Sequence, residues 1–256
     1  FQVLETEGIP CGYERSAKLL RGNILANRYL LGINLGDIST RQVEQICREL
    51  QMPPALVQRF LDGLTQANQI LIGFEADPLG SGLYKLYHEY WEQLRSTPGF
   101  PDIEQARFLL HRGFKWKIDQ PDRQATTDYH FIPGLNTARI KERIQVADIG
   151  LRDPALKNAV TEIISLAEQH MPGDQLIYVE VSEPESPRIS FDLNLYPAGL
   201  KVNDIQPQLE QLASHMHIAP EKLGRLLDIS REQSLGHISA GTARDDQPYF
   251  TYYYES

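Results

Sequence analysis

Ser190-Phe191-Asp192-Leu193-Asn194-Leu195-Tyr196 alternates polar and apolar side chains over the length of a strand. A period of two places Phe191, Leu193 and Leu195 on one face, and Ser190, Asp192, Asn194 and Tyr196 on the other. Just upstream lies a second strand-like run, 175–182, joined through Glu183-Pro184-Glu185-Ser186-Pro187, a turn-forming string. Helical patterns at 136–146 and 153–170 precede both. Working outward, the same unit recurs. Its returning strand reads Tyr84-Lys85-Leu86-Tyr87-His88-Glu89, then Thr127-Asp128-Tyr129-His130-Phe131, and finally Tyr249-Phe250-Thr251-Tyr252-Tyr253-Tyr254. A repeated helix-plus-hairpin unit changes the reading of the whole chain.

The predicted architecture is α+β: an antiparallel β-barrel of repeated helix-helix-hairpin (ααββ) units with the helices outside. One domain is expected over 1–256, with units at approximately 13–35, 40–90, 101–133, 136–197 and 203–256. Ser39 or Thr40 caps a helix over 41–50, and Pro53-Pro54 starts the next. Residues 102–111 read as helical, 113–119 as a strand and 126–132 as its return. Helices near 204–216 and 219–229 precede strands at 235–240 and 248–254. Residues 1–12 read as an irregular leader, and 16–35 as either a hairpin or a short helix. Five hairpins make ten antiparallel strands, enough to close a barrel and remove its open edges.

Bulk composition narrows the function. The 256 residues are 41% hydrophobic and 23% charged, an ordinary globular balance, with a net charge of −9. An acidic chain lacks the basic face that nucleic acid requires. Cys11 and Cys47 read as free thiols. No apolar run reaches the ~18 residues of a membrane span. Phe1-Gln2-Val3-Leu4-Glu5 has no basic start followed by an apolar stretch, so a cytoplasmic protein is expected. There is no GxGxxG or P-loop, and no zinc spacing. Asp119-Gln120-Pro121-Asp122 reads as turn chemistry. His215 and His217 lie at i and i+2 of a helix and face apart. No metal ligands are predicted.

The strand faces carry the chemistry. Tyr84, Leu86 and His88 oppose Leu83, Lys85, Tyr87 and Glu89. Phe114, Trp116 and Ile118 oppose Lys115, Lys117 and Asp119. Ile189 joins the apolar face of strand 188–196, with Phe191, Leu193 and Leu195, and Arg188 its polar face. Ile177, Val179 and Val181 oppose Tyr178 and Glu180. In each pair the oily face is expected to pack on helices. The other is either the solvated side of an open sheet or the lumen of a ligand-holding barrel. Tyr87, Tyr178, Tyr196 and Tyr253 suit a half-buried wall that is apolar in body and polar at the tip.

At these residues the chain resembles the aromatic prenyltransferases of the ααββ-barrel type, including the indole dimethylallyltransferases. Lys85-Leu86-Tyr87 matches a Lys-x-Tyr on the family's second return strand. Asn194-Leu195-Tyr196 is similar to its amide-x-Tyr, and Tyr253 to its last-strand tyrosine. Asp128 and His130 depart from the pattern, standing where basic residues are usual. Lys115 and Lys117 are the available substitutes. Glu14 lies near the region of the family's first-unit acid.

The resemblance implies transfer of an allylic prenyl group from its diphosphate to an indole or phenol. Lys85, Lys115, Lys117 and Arg188 would hold the leaving diphosphate. Tyr87, Tyr178, Tyr196 and Tyr253, with Asn194, would line the site and shield the carbocation. Glu180, Glu75 or Glu89 would polarise the acceptor and take its proton. No cofactor is required on this reading, and Mg²⁺ is optional. The rival expectation is a non-catalytic small-ligand or protein-binding module on the same fold. It is motivated by Asp128, Asp192 and Glu180, acids that would repel a diphosphate.

Overall fold

A computed structural model describes residues 2–76, 82–98, 100, 106–146, 151–172, 175–183, 186–243 and 245–255, without the side chains of 2–3, 121 and 186–188. The chain begins with a short helix, α1 (Gln2–Thr6), where an irregular leader was expected. Strands β1 (Gly12–Leu20), β2 (Asn23–Leu25) and β3 (Arg28–Asn34) follow. The undecided stretch 16–35 is therefore a hairpin. Helices α2 (Thr40–Glu49) and α3 (Pro54–Gly63) lead into β4 (Gln69–Ala76) and β5 (Gly82–Glu89). Helix α4 (Trp91–Arg95) precedes β6 (Phe108–Lys117) and β7 (Gln120–Phe131). Helices α5 (Thr137–Gln145) and α6 (Pro154–Glu168) precede β8 (Ile177–Glu183) and β9 (Ser186–Asn194). Helices α7 (Gln206–His215) and α8 (Pro220–Ser230) precede β10 (Leu235–Thr242) and β11 (Pro248–Glu255).

The sheet runs from β11 stepwise down to β3, then β1, and β11 pairs back onto β1. Without β2, a lip that pairs only with β1, ten antiparallel strands close a ring. The open-sheet alternative is excluded by this seam, where Glu14 to Leu19 pair with Glu255 to Phe250.

Local sequence explains the helices. Ser39 caps α2 in a reciprocal box with Gln42. Asp153 accepts hydrogen bonds from the amides of Ala155 and Leu156, with Pro154 pre-set at the first position of α6. The helices pack outside the ring. Val43, Ile46, Leu56 and Phe60 cover Ile70, Ile72, Leu86, Phe114 and Trp116. The indole N–H of Trp116 donates to the Leu50 carbonyl at 3.0 Å, tying the wall to the end of α2. Helices α5 to α8 cover Phe191, Leu193, Ile238, Phe250 and Tyr252 in the same way.

Strand β7 begins at Gln120, so Gln120-Pro121-Asp122, read as a turn, is strand. Two further readings fail. Of 102–111, expected to be helical, residues 101–105 lie outside the described residues and Phe108 onward is strand. Phe108-Leu109-Leu110 is a short apolar run, which fits a buried strand as well as a helix. The second failure is the face assignment of β8. Tyr178 is fully buried among the outer helices and stacks on Phe191 at 6.0 Å. Ile177 and Val179 instead line the interior. A closed barrel covers both faces of its strands, so oiliness alone does not say which face is inside.

Candidate active site

The lumen holds two adjoining cavities of about 550 Å³ and about 480 Å³. They share six wall residues: Arg28, Lys85, Tyr87, Tyr129, Asp192 and Tyr253. These form a waist between an upper chamber, at the Glu14 end of β1, and a lower chamber, at its Lys18 end.

The lower chamber is cationic. Lys18, Lys115, Lys117 and Arg123 join Arg28 and Lys85 in its wall. Lys85 and Lys115 stand directly opposite each other on β5 and β6, an unfavourable pairing for like charges. Glu75 counters part of this charge, 3.0 Å from the Arg28 guanidinium and 2.9 Å from Lys85 Nζ. Glu183, which is buried, lies 3.9 Å from Lys115. Lys18 sits 4.5 Å over the Tyr249 ring. Burial pushes the Lys85 ammonium down to about 8 despite Glu75. Burial alone would raise the Glu75 carboxyl, but Lys85, Arg28 and Lys18 together hold it well below the usual range. Arg28 is 7% exposed, and one of its terminal nitrogens has no hydrogen-bond partner. A buried guanidinium N–H without a partner is costly, and an anion in the chamber would satisfy it.

The waist is phenolic. Tyr87 meets Tyr129 edge-on at 5.7 Å, and the Arg28 guanidinium lies 5.9 Å over the Tyr253 ring. Tyr87 lies flat over the neighbouring strand because Gly113 is beneath it. A β-carbon there would stand 2.7 Å from the ring. Burial pushes the Tyr87 phenol up to about 12 and raises Tyr253 as well, so both stay neutral.

The upper chamber is apolar along its sides, with Leu30, Leu71, Trp91, Leu110, Ile177 and Val179, and acidic at its polar points. Tyr196 donates its hydroxyl proton to Glu14. Gly236 allows this, since a β-carbon there would fall 2.6 Å from the Tyr196 ring. His237 Nδ1 lies 2.9 Å from Asp192, and its Nε2 lies 3.9 Å from Glu14. Burial disfavours the His237 imidazolium, but Asp192 and Glu14 outweigh it and raise the group. Glu89 accepts from Asn68 at 3.0 Å, and burial holds its carboxyl above the usual range against that bond. His111 lies 3.9 Å from Glu89 and is pushed down to about 4 by burial, so it is neutral.

The residues singled out from sequence divide accordingly. Lys85, Tyr87 and Tyr253 form the waist, and Lys115, Lys117 and Glu75 line the lower chamber. Glu89, Asn194 and Tyr196 line the upper one. The Arg188 side chain lies outside the described residues. Tyr178 and Glu180 are not in the lumen. Glu180 is buried on the outer face, 2.5 Å from Arg143 of α5 and 3.2 Å from Arg107. Asp128 pairs with Arg112 at 2.7 Å, and neither residue is in the wall of either cavity. Of the three acids that argued against a diphosphate, only Asp192 is inside, engaged by His237.

Sequence reasoning passed over Lys18 and Arg28, because the first hairpin was undecided. It also passed over His111, which fell in the segment read as helix. His237 of β10 also faces the lumen. Among the described residues no three His, Cys, Asp or Glu side chains are placed to hold a metal ion. No described helix is long and apolar enough to cross a membrane.

No family model and no curated protein matches the chain. Solved structures do. The 5-dimethylallyltryptophan synthase of Streptomyces coelicolor superposes with a TM-score of 0.63 at 15% identity, over 95% of this chain and 81% of that one. The 6-dimethylallyltryptophan synthase of Micromonospora olivasterospora gives 0.60 at 10% identity, over 95% and 81%. PriB in a binary complex with product diphosphate gives 0.59 at 13% identity, over 95% and 79%.

The chain has the ααββ-barrel fold of these prenyltransferases.

At such identities the shared object is the barrel; the chemistry has to be argued from the residues inside it.

Proposed function

We propose that this chain is an aromatic prenyltransferase, moving an allylic prenyl group from its diphosphate to an aromatic acceptor. One observation carries the reading. Arg28, Lys85 and Lys115 converge on one chamber of the barrel lumen, and an aromatic-lined chamber adjoins it through three tyrosines. The neighbours of the same fold include enzymes solved with tryptophan and an allylic diphosphate analogue.

On this reading the diphosphate lies in the lower chamber, with the prenyl chain at the waist. The C–O bond breaks, and the leaving diphosphate keeps the electron pair. Fixed cations stabilise that charge, which is a large catalytic term in a water-poor site. The faces of Tyr87, Tyr129 and Tyr253 shield the allylic cation. The acceptor ring attacks from above, forming a C–C bond and a ring cation, which then loses its proton.

Glu89 is the group we assign to take that proton. It is in the acceptor chamber, and its raised affinity for a proton suits a base. Glu75 is unsuited, being held ionised by Arg28 and Lys85 below the waist. The side-chain cations match the diphosphate charge without a metal. The test is pyrophosphate release from dimethylallyl and geranyl diphosphates with a panel of indoles and phenols. It is paired with a thermal shift by pyrophosphate, which stabilises the fold if it binds. Absence of both would remove the proposal and leave a non-catalytic barrel.

A further inference from the structure

At the barrel's seam the start of β1 meets the end of β11, and Glu14 stands directly opposite Glu255. Like charges in that position repel. The Tyr196 hydroxyl donates to Glu14 and also lies beside Glu255. One phenolic proton serves one carboxylate at a time. The cation at hand is His237, already 2.9 Å from Asp192 and 3.9 Å from Glu14.

Above the waist, the described wall of this chamber carries Glu14, Glu89 and Glu255 but no lysine or arginine. The surplus negative charge is not arranged for a metal, since no three such side chains cluster at ligand distance among the described residues. The same chamber also presents apolar wall at Leu30, Leu71, Trp91, Leu110, Ile177 and Val179. A ligand satisfying both features has an aromatic body and an organic cation at its outer end.

We infer that the acceptor is an arylalkylamine: an aromatic ring bearing a protonated amine and no free carboxylate. The amine sits between Glu14 and Glu255, where it relieves their repulsion. The ring extends toward the waist, with Glu89 at its side. A free amino acid such as tryptophan would bring a carboxylate to the same acidic end, and the cation there, His237, is already matched by Asp192. This inference deepens the prenyltransferase reading and rests on it.

The experiment compares tryptamine, tryptophan and indole-3-propionate as acceptors with dimethylallyl diphosphate. It also measures equilibrium binding of the same three to protein saturated with pyrophosphate. Tryptamine is expected to exceed tryptophan by roughly tenfold or more in both kcat/KM and affinity, with the acid weakest. Glu255→Gln should lower the tryptamine-to-tryptophan ratio several-fold. Pyrophosphate binding with tryptophan or the acid equal to or better than tryptamine, or with no binding of the amine, overturns the inference alone. Failure of pyrophosphate to bind, together with no pyrophosphate release from the donor in the presence of any acceptor, overturns the prenyltransferase reading as well.

Discussion

The two chambers are electrostatic opposites built by one device. Below the waist, paired strands place Lys85 opposite Lys115; at the upper seam they place Glu14 opposite Glu255. Both juxtapositions are unfavourable in themselves, and nearby groups offset them: Glu75 beside Lys85 and Glu183 beside Lys115 below, Tyr196 and His237 beside Glu14 above. Glu75 answers Lys85 but leaves an Arg28 nitrogen without a partner. Tyr196 answers Glu14 but has no second proton for Glu255. Charge that a fold does not satisfy internally is available to a ligand. On the proposed function the two ends would select ligands of opposite sign, and the phenolic waist between them is where the two would react.

The strongest way to break this contrast is to remove a cation from below. Arg28→Leu or Lys85→Met should reduce kcat/KM by about 10²–10³-fold, the usual cost of losing one preorganised charge at a developing anion. Affinity for pyrophosphate should fall in parallel. Glu14→Gln should leave pyrophosphate affinity intact. If both ends affected it equally, the chambers would not be functionally distinct.

Removing the assigned base tests the upper chamber. Glu89→Gln should lower kcat by about 10²-fold or more while pyrophosphate affinity is retained. Its amide keeps the shape and can still meet Asn68. A drop in kcat that Glu14→Gln reproduces while Glu89→Gln does not would move the base to the seam.

A smaller effect follows from pH. The Lys85 ammonium titrates at about 8 because of burial, opposed by Glu75. A diphosphate ester needs it charged, so affinity for dimethylallyl thiolodiphosphate should fall, by about tenfold at most, from pH 7 to 9. Lys85→Met should flatten that profile. The effect on stability has the opposite sign. Between about 8 and 10.5 the unfolded chain holds a proton on Lys85 that the folded chain lacks. This group's contribution to stability therefore rises with pH across that window.

How much of this was legible in the sequence depends on what covers each face. Lys85-Leu86-Tyr87 and Asp192 to Tyr196 read correctly, since their outward partners, Leu86, Phe191 and Leu193, are oily and their inward ones polar. Strand β8 inverts the rule. Its inward face, Ile177 and Val179, gives the upper chamber part of its apolar wall, and its outward face is Tyr178 and Glu180. Glu180 can be outside and buried because Arg143 and Arg107 reach it, and the Arg143 contact spans 37 residues. Arg28 was missed for another reason. Gly22-Asn23 and Ala26-Asn27 break 16–35 into runs too short for either period to dominate. The Glu14–Glu255 pair was unreadable in principle, since register across the seam joins the first strand to the last.

The smallest expected effect is on the acid that the sequence placed first. Glu180 lies outside the barrel between Arg143 and Arg107, whose side chains are 41% and 50% exposed. Glu180→Gln should therefore act on stability and not on chemistry. Leaving a buried carboxylate or its partner unmatched can cost about 3–5 kcal/mol, but solvent reaches both arginines here, so about 1–2 kcal/mol is expected. The melting temperature should drop by a few degrees, roughly 2–4 °C per kcal/mol at this length. Turnover per folded molecule should stay at the wild-type value. The pair Glu180→Gln and Glu89→Gln is thus a direct contrast of outside and inside: the same substitution, read by melting in one case and by kcat in the other. If Glu180→Gln abolished turnover in a fully folded protein, the inward face of β8 would have been assigned wrongly, and the apolar wall of the acceptor chamber with it.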